Sequence, residues 1–326
     1  MNSLARKLAA ACMGAALAAS ALVAAAQDTY PSKPIRVIVG YSAGGAVDLI
    51  ARSVGQRMSA QLGQPVIIDN KPGAGTNIAV KATTSSPPDG YTIMLSANAL
   101  AVNPSLFKPA PFDLDKDITP ISLVGRVPVV FATRDDGELK TLAQLVSTSK
   151  AKPGSVSLAT PGNGSTPHLA MELFQHTAGI KLRHIPYKGG SQALTDTIGG
   201  TTDLVAVNAL EAAPLAKSGK LRVLAVLSPE RTSVLPNVPT VAESGYPGFE
   251  SSVWYGFIGP AGLPQPIVAK LHDAVQKAIE SKEVREQLAA AGGIPLPGPT
   301  EQFSKLIKGE AARYGQLIRE AGIQPD

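Results

Sequence analysis

Eight short runs rich in β-branched residues, many of them separated by apolar residues at helical spacing, do most to limit what this chain can fold into. The runs are Ile35 to Val39, Val66 to Ile68, Tyr91 to Leu95, Val129 to Thr133, Val156 to Ala159, Leu204 to Val207, Val223 to Leu227 and Val253 to Ile258. Between the first two, Val47, Ile50, Ala51, Val54, Met58 and Leu62 keep a period near 3.6 residues, and Gly63 ends the pattern as a C-terminal cap would. Leu139, Leu142, Leu145 and Val146 repeat it, as do Leu169, Leu173 and Phe174. Strands alternating with helices predict an α/β protein of mainly parallel sheets under helical cover. At 326 residues the chain also exceeds the size at which one core stops growing, so two lobes are expected. Late helices are marked by Pro266, Ile267, Leu271, Val275 and Ile279, then by Phe303, Leu306, Ile307, Tyr314, Leu317 and Ile318.

The first 26 residues read as an export signal. Arg6 and Lys7 form a positive start, Leu8 to Val23 is an apolar stretch, and Ala24-Ala25-Ala26 offers small residues before Gln27. Cleavage is expected between Ala26 and Gln27. As a membrane anchor the stretch is short and alanine-rich, whereas a spanning helix needs about 20 strongly apolar residues. Cys12 is the only cysteine and falls in this leader. A mature chain without cysteine excludes disulfides, thiolate metal sites and cysteine nucleophiles, and a periplasmic, soluble, monomeric product is expected.

Charge narrows the function. The chain has 30 basic against 25 acidic side chains, 17% charged and 5% aromatic residues, and no run of Lys or Arg. Nothing there resembles a surface that tracks phosphates, so no nucleic-acid partner is expected. No cofactor is expected either. Gly73-Ala74-Gly75-Thr76-Asn77-Ile78 begins like a dinucleotide fingerprint but has Ile78 where the last glycine belongs, and reads as a turn opening a helix. His168, His176, His184 and His272 form no metal-spaced pair with a carboxylate, so no metal site is expected.

In parallel sheets, ligands sit beyond the carboxyl ends of strands, where loops meet helix N-termini. Two loops fit. In the first, a strand ending at Val39 runs through Gly40, Tyr41, Ser42, Ala43, Gly44 and Gly45 into a helix that carries Asp48 in its first turn. In the second, Pro161, Gly162, Asn163 and Gly164 lead to Ser165 or Thr166 as N-cap, with Pro167 beside it. Neither loop carries Lys or Arg, so an anion would be held by amides and hydroxyls. Ser165 and Thr166 are expected on one carboxylate and Tyr41 to Gly45 on the opposite end, with Asp48 orienting its loop or a bridging water. Asn98 and Asn208, each just past a strand, are further candidates. A hydrolase built on Ser165 with His168 or His184 is the rival reading. The glycines of a Gly-x-Ser-x-Gly elbow are missing, Asn163 and Pro167 standing in their places.

A set of motifs in fixed order adds to this. Tyr30-Pro31-Ser32-Lys33-Pro34-Ile35-Arg36, then Gly44-Gly45-x-x-Asp48, Asp69-Asn70-Lys71-Pro72-Gly73-Ala74-Gly75 and Pro88-Asp89-Gly90-Tyr91-Thr92 lie in the first part. Gly162-x-Gly164-Ser165-x-x-His168-Leu169, Pro186-Tyr187-Lys188-Gly189-Gly190, the Leu235 to Gly245 segment and Trp254-Tyr255-Gly256 follow. Together they resemble the periplasmic solute-binding receptors of tripartite tricarboxylate transporters, often called Bug receptors. Where that family often has Pro-Phe-x-Pro before the paired glycines, this chain has Gly40-Tyr41-Ser42-Ala43. The resemblance implies a two-lobed type II periplasmic-binding-protein fold with the ligand in the interlobe cleft. It also implies capture of a small organic acid or amino acid and its delivery to membrane permease subunits. A binding protein of an ABC or TRAP transporter is the alternative within the same class. With the strand pattern, it sets lobe 1 at residues 27–128 plus 251–326 and lobe 2 at 129–250, with hinges near Arg126 to Val129 and Glu250 to Val253.

Overall fold

The structure, a computed structural model, describes residues 30–325. The expected leader, with Cys12 and the cleavage point between Ala26 and Gln27, lies outside the described residues. Along the chain run β1 (Ile35–Val39), α1 (Ala46–Leu62), β2 (Val66–Asn70), a 3-10 turn (Ala74–Thr76), α2 (Asn77–Thr84), β3 (Thr92–Ser96) and α3 (Ala99–Leu106). Then come β4 (Ile118–Arg134), α4 (Leu142–Ala151), β5 (Ser157–Thr160), α5 (Thr166–Ala178), β6 (Arg183–Pro186), α6 (Gly190–Ile198), β7 (Leu204–Asn208) and α7 (Ala209–Lys217). The last elements are β8 (Leu221–Val226), β9 (Ser252–Pro260), α8 (Gln265–Glu280), α9 (Lys282–Ala289), β10 (Ile294–Pro295) and α10 (Thr300–Ala321).

β1 lies between β2 and β3, parallel to both, and β5 lies between β6 and β7, again parallel. These are the strands the alternating pattern predicts. The middle is antiparallel. β4 pairs with β9 from Ile118 to Pro128, and from Val129 onward with β7 and β8. One 17-residue strand therefore belongs to both sheets, and the result is a two-lobed α/β fold of mixed sheets. Chain that leaves one sheet through β4 and returns through β9 must run in opposite directions, which fixes the antiparallel centre.

β1 is buried on both faces, as a covered parallel strand must be. Val37 and Val39 belong to one apolar cluster with Ile50, Val54 and Leu95, while Ile38 belongs to another with Met94, Trp254, Ile258 and Phe303. α1 ends where expected: Gly63 takes a left-handed φ of 68° and its N–H donates to Ser59 O at 3.0 Å. α8 and α10 form where the late periodicities lie, and Phe303 and Ile307 of α10 are buried against β3 and β9 residues.

Candidate functional site

Both glycine-rich loops arrive at one cleft. α1 begins at Gly45, which has no side chain to cap its first amides. α5 begins at Ser165, whose Oγ accepts from the His168 amide at 3.3 Å. α6 follows Gly189 and α7 follows Asn208, neither supplying a side-chain cap. Tyr41, Gly45, Ala46, Ser165, Thr166, Gly190, Asn208 and Glu211 line a narrow pocket, walled by Val47, Ala97, Pro161, Pro167 and Val253. Four helix starts thus meet around one apolar chamber, each with a partial positive charge at its N-terminus.

The first loop is held from behind. Asp48 is only 2% exposed; its Oδ2 accepts from the Gly44 amide and from Arg52 Nε, both at 2.9 Å, and its Oδ1 from Asn70 Nδ2 at 3.0 Å. Burial pushes its pKa up, but the hydrogen bonds from Arg52, Gly44 and Asn70 prevail and hold it below the ordinary value. Asn70 Nδ2 also donates to Tyr41 O at 3.1 Å, so one cluster fixes the loop at two points. In front, the loop meets the second sheet: Ser42 N and Oγ donate to Lys188 O at 2.9 and 3.1 Å, and Ser191 Oγ donates to Ala43 O at 3.3 Å.

Of the expected ligand residues, Tyr41, Gly45, Ser165, Thr166 and Asn208 line the chamber. Ser42 and Ala43 make the contacts to the second sheet, and Gly44 and Asp48 form the support behind the loop. Gly164 has a φ of 76°, and a Cβ there would run into Asn103 Oδ1, so glycine lets α3 approach the second loop. Asn163 lines a neighbouring recess with Gly75 and Tyr187. Asn98 ties the start of α3 to β9 and α10: its Oδ1 accepts from the Trp254 amide at 3.0 Å and its Nδ2 donates to Glu310 Oε2 at 3.1 Å.

The chamber also contains a residue that sequence reasoning missed. Glu211, 8% exposed, is its only charged lining residue. Its Oε2 accepts from Asn208 Nδ2 at 3.4 Å, while Oε1 has no hydrogen-bond partner. Burial raises its pKa to about 7, against the pull of Asn208 and the amides of Ala46 and Asn208. Tyr41 and Tyr255 feel it in turn: burial first, then the Glu211 charge, pushes both phenols up. Gly190 packs directly against the carboxyl, where a Cβ would collide with Oε1 and Oε2. Two signals could have found Glu211: the capping-box spacing Asn208-x-x-Glu211, and a lone acid within Ala209-Leu210-Glu211-Ala212-Ala213.

The geometry is poor for a serine nucleophile. His168 Nδ1 accepts from the Gly164 amide at 3.3 Å, and its ring stacks on His184 at 4.5 Å. Burial and the neighbouring His184 lower its pKa to about 3, so it cannot take a proton from Ser165 near neutral pH. Among the described residues no group of three or more His, Cys, Asp or Glu side chains is placed to hold a metal, and no helix is long and apolar enough to cross a membrane.

Comparison with known proteins agrees with the fold and the loops. The family model described as the tripartite tricarboxylate transporter family receptor matches residues 50–323. Protein BugT of Bordetella pertussis is 39% identical over 299 residues, 91% of this chain and 92% of that protein. Among solved structures, one from R. palustris with adipate has a TM-score of 0.87 at 30% identity, covering 91% of this chain and all of that one. MatC from Rhodopseudomonas palustris with bound malate has a TM-score of 0.84 at 30% identity, covering 89% of this chain and all of that one. With its two-lobed fold and paired loops, the chain belongs to the tripartite tricarboxylate transporter receptor family, the extracytoplasmic solute-binding receptors that serve those transporters.

Proposed function

We propose that the interlobe chamber takes one small carboxylate-bearing solute and that the closed receptor hands it to the membrane permease subunits. The observation that carries this is the meeting of the α1 and α5 N-termini, from opposite sheets, over a cavity that no Lys or Arg lines. Thr166 Oγ1, buried and without a partner, supplies a hydroxyl at that place. Relatives solved with adipate and malate support a carboxylate ligand. Each charge-assisted hydrogen bond contributes about 1.5 to 3 kcal/mol and micromolar affinity needs about 8, so amides and hydroxyls suffice without a cation.

A thermal-shift screen of mono-, di- and tricarboxylates, amino acids and aromatic acids tests the reading, because a ligand that binds only the folded state raises the melting temperature. With the hit in hand, Thr166→Val is expected to lower affinity roughly 5- to 150-fold by titration calorimetry, the loss of one hydrogen bond of about 1 to 3 kcal/mol. Ser165→Ala is expected to do the same and also to remove the α5 cap, costing about 1 kcal/mol of stability. Unchanged affinity in both folded variants would place the solute elsewhere.

The lobes are taken as residues 27–128 plus 251–326 and 129–250. The change of β4 partner between Pro128 and Val129 and the start of β9 at Ser252 support this division. Export follows from the leader, and the mature receptor acts as a periplasmic monomer without a cofactor. Mass spectrometry of the exported protein is expected to give Gln27 as the first residue. A retained leader in the membrane fraction would count against export.

A further inference from the structure

We infer that the solute carries one carboxylate together with a nitrogen donor that docks on the Glu211 carboxyl, as an amino acid does and a dicarboxylate does not. This rests on the carboxylate reading above. Glu211 stands 92% buried in the chamber wall with Oε1 unsatisfied, and an acceptor left so in a closed site loses more than a hydrogen bond is normally worth. A donor from the solute meets that need. The groups facing the carboxyl are Tyr41, Tyr255, Asn208, Gly45 and Gly190, none of them cationic.

Charge balance points the same way. Each helix start around the chamber offers about half a positive charge, so the four together accommodate roughly two anions. Glu211, once ionised, is the first of these, set against the Ala46 and Asn208 amides. A carboxylate at Ser165 and Thr166 is the second. Another carboxylate would have to lie against Glu211 itself in a water-poor cavity, whereas an ammonium or amide nitrogen there pairs with it. Gly190 matters for the same reason: lacking a Cβ, it lets the Glu211 carboxyl keep this place in the chamber wall.

The test is titration calorimetry near neutral pH with β-alanine, 4-aminobutyrate and the common L-amino acids, set against malonate, succinate, glutarate and adipate. At least one nitrogen-bearing acid is expected to bind ten times more tightly than the dicarboxylate of equal length. Glu211→Gln, checked for folding by its melting transition, is expected to cut that affinity at least tenfold and to improve the dicarboxylate. Gly190→Ala, checked for folding in the same way, keeps the charge but pushes the carboxyl out of its place, and is expected to weaken the nitrogen-bearing acid without admitting the dicarboxylate. A dicarboxylate that binds the native protein as tightly as its amino counterpart, or an unchanged ranking in Glu211→Gln, would overturn the assignment. Binding of no acid from either group would also overturn the assignment, and if no acid raises the melting temperature in the thermal-shift screen either, the carboxylate reading beneath it falls as well.

Discussion

Ligand-free Glu211→Gln is expected to melt roughly 5 to 10 °C above the native protein at about pH 8, with the difference vanishing toward about pH 4. Folding lifts the Glu211 pKa from 4.5 to about 7, so between those values the folded state holds more protons than the unfolded chain. Stability therefore falls as pH rises through that window. The shift corresponds to about 3 kcal/mol once the carboxyl is ionised, and each kcal/mol moves the melting point of a protein this size by about 2 to 4 °C. Glutamine keeps the shape and abolishes the charge. Thermal denaturation of both proteins across that range decides it: parallel curves would mean that Glu211 is not the group that titrates.

The opposite behaviour is expected of Asp48→Ala. Removing a carboxylate that serves the Gly44 amide, Arg52 and Asn70 should cost about 2 to 4 kcal/mol. Because the folded state depresses this pKa below its ordinary 3.8, the native advantage is present above that value and fades as pH falls below it. The loss in the variant should thus be largest near neutrality and shrink in acid. Solute affinity should fall too, since Gly44 is then no longer fixed and Asn70, which holds the Tyr41 carbonyl, loses its own anchor. Denaturant titration at neutral and acid pH, paired with calorimetry, measures both effects; native-like affinity would show that the loop is set by its contacts to Lys188 and Ser191 instead.

Local signals in the sequence were enough for the parts that local physics determines. α1 follows from its apolar spacing and Gly63, and the start of α5 from Ser165 and Pro167. The first half of β4 was not legible, because Pro120, Gly125 and Pro128 break the β-branched pattern that marks a strand. The structure accommodates the interruptions with register shifts between Pro120 and Ser122 and between Leu123 and Gly125. Glu211 was hidden for a different reason. In sequence it is an acid in the first turn of a helix, which any dipole argument explains. Its importance comes from Gly45 and Gly190, which approach it from distant parts of the chain. For Ser42 and Ala43, local reasoning reaches the loop but cannot supply Lys188 and Ser191, 146 and 148 residues away, as their partners.

The continuity of β4 has a mechanical consequence. A receptor whose lobes were joined by loose loops would turn as if on a pin, with any angle about equally accessible. Here the junction is woven: Val129 N donates to Ser251 O, Ser251 N to Leu227 O and Leu227 N to Val129 O, where the long strand passes from one sheet to the other. Opening the chamber must bend this hydrogen-bonded ribbon as a leaf spring bends, along one compliant direction and with a restoring force. A calliper built this way has a fixed path, so the outer surfaces of the two lobes would reach a single spacing on closing.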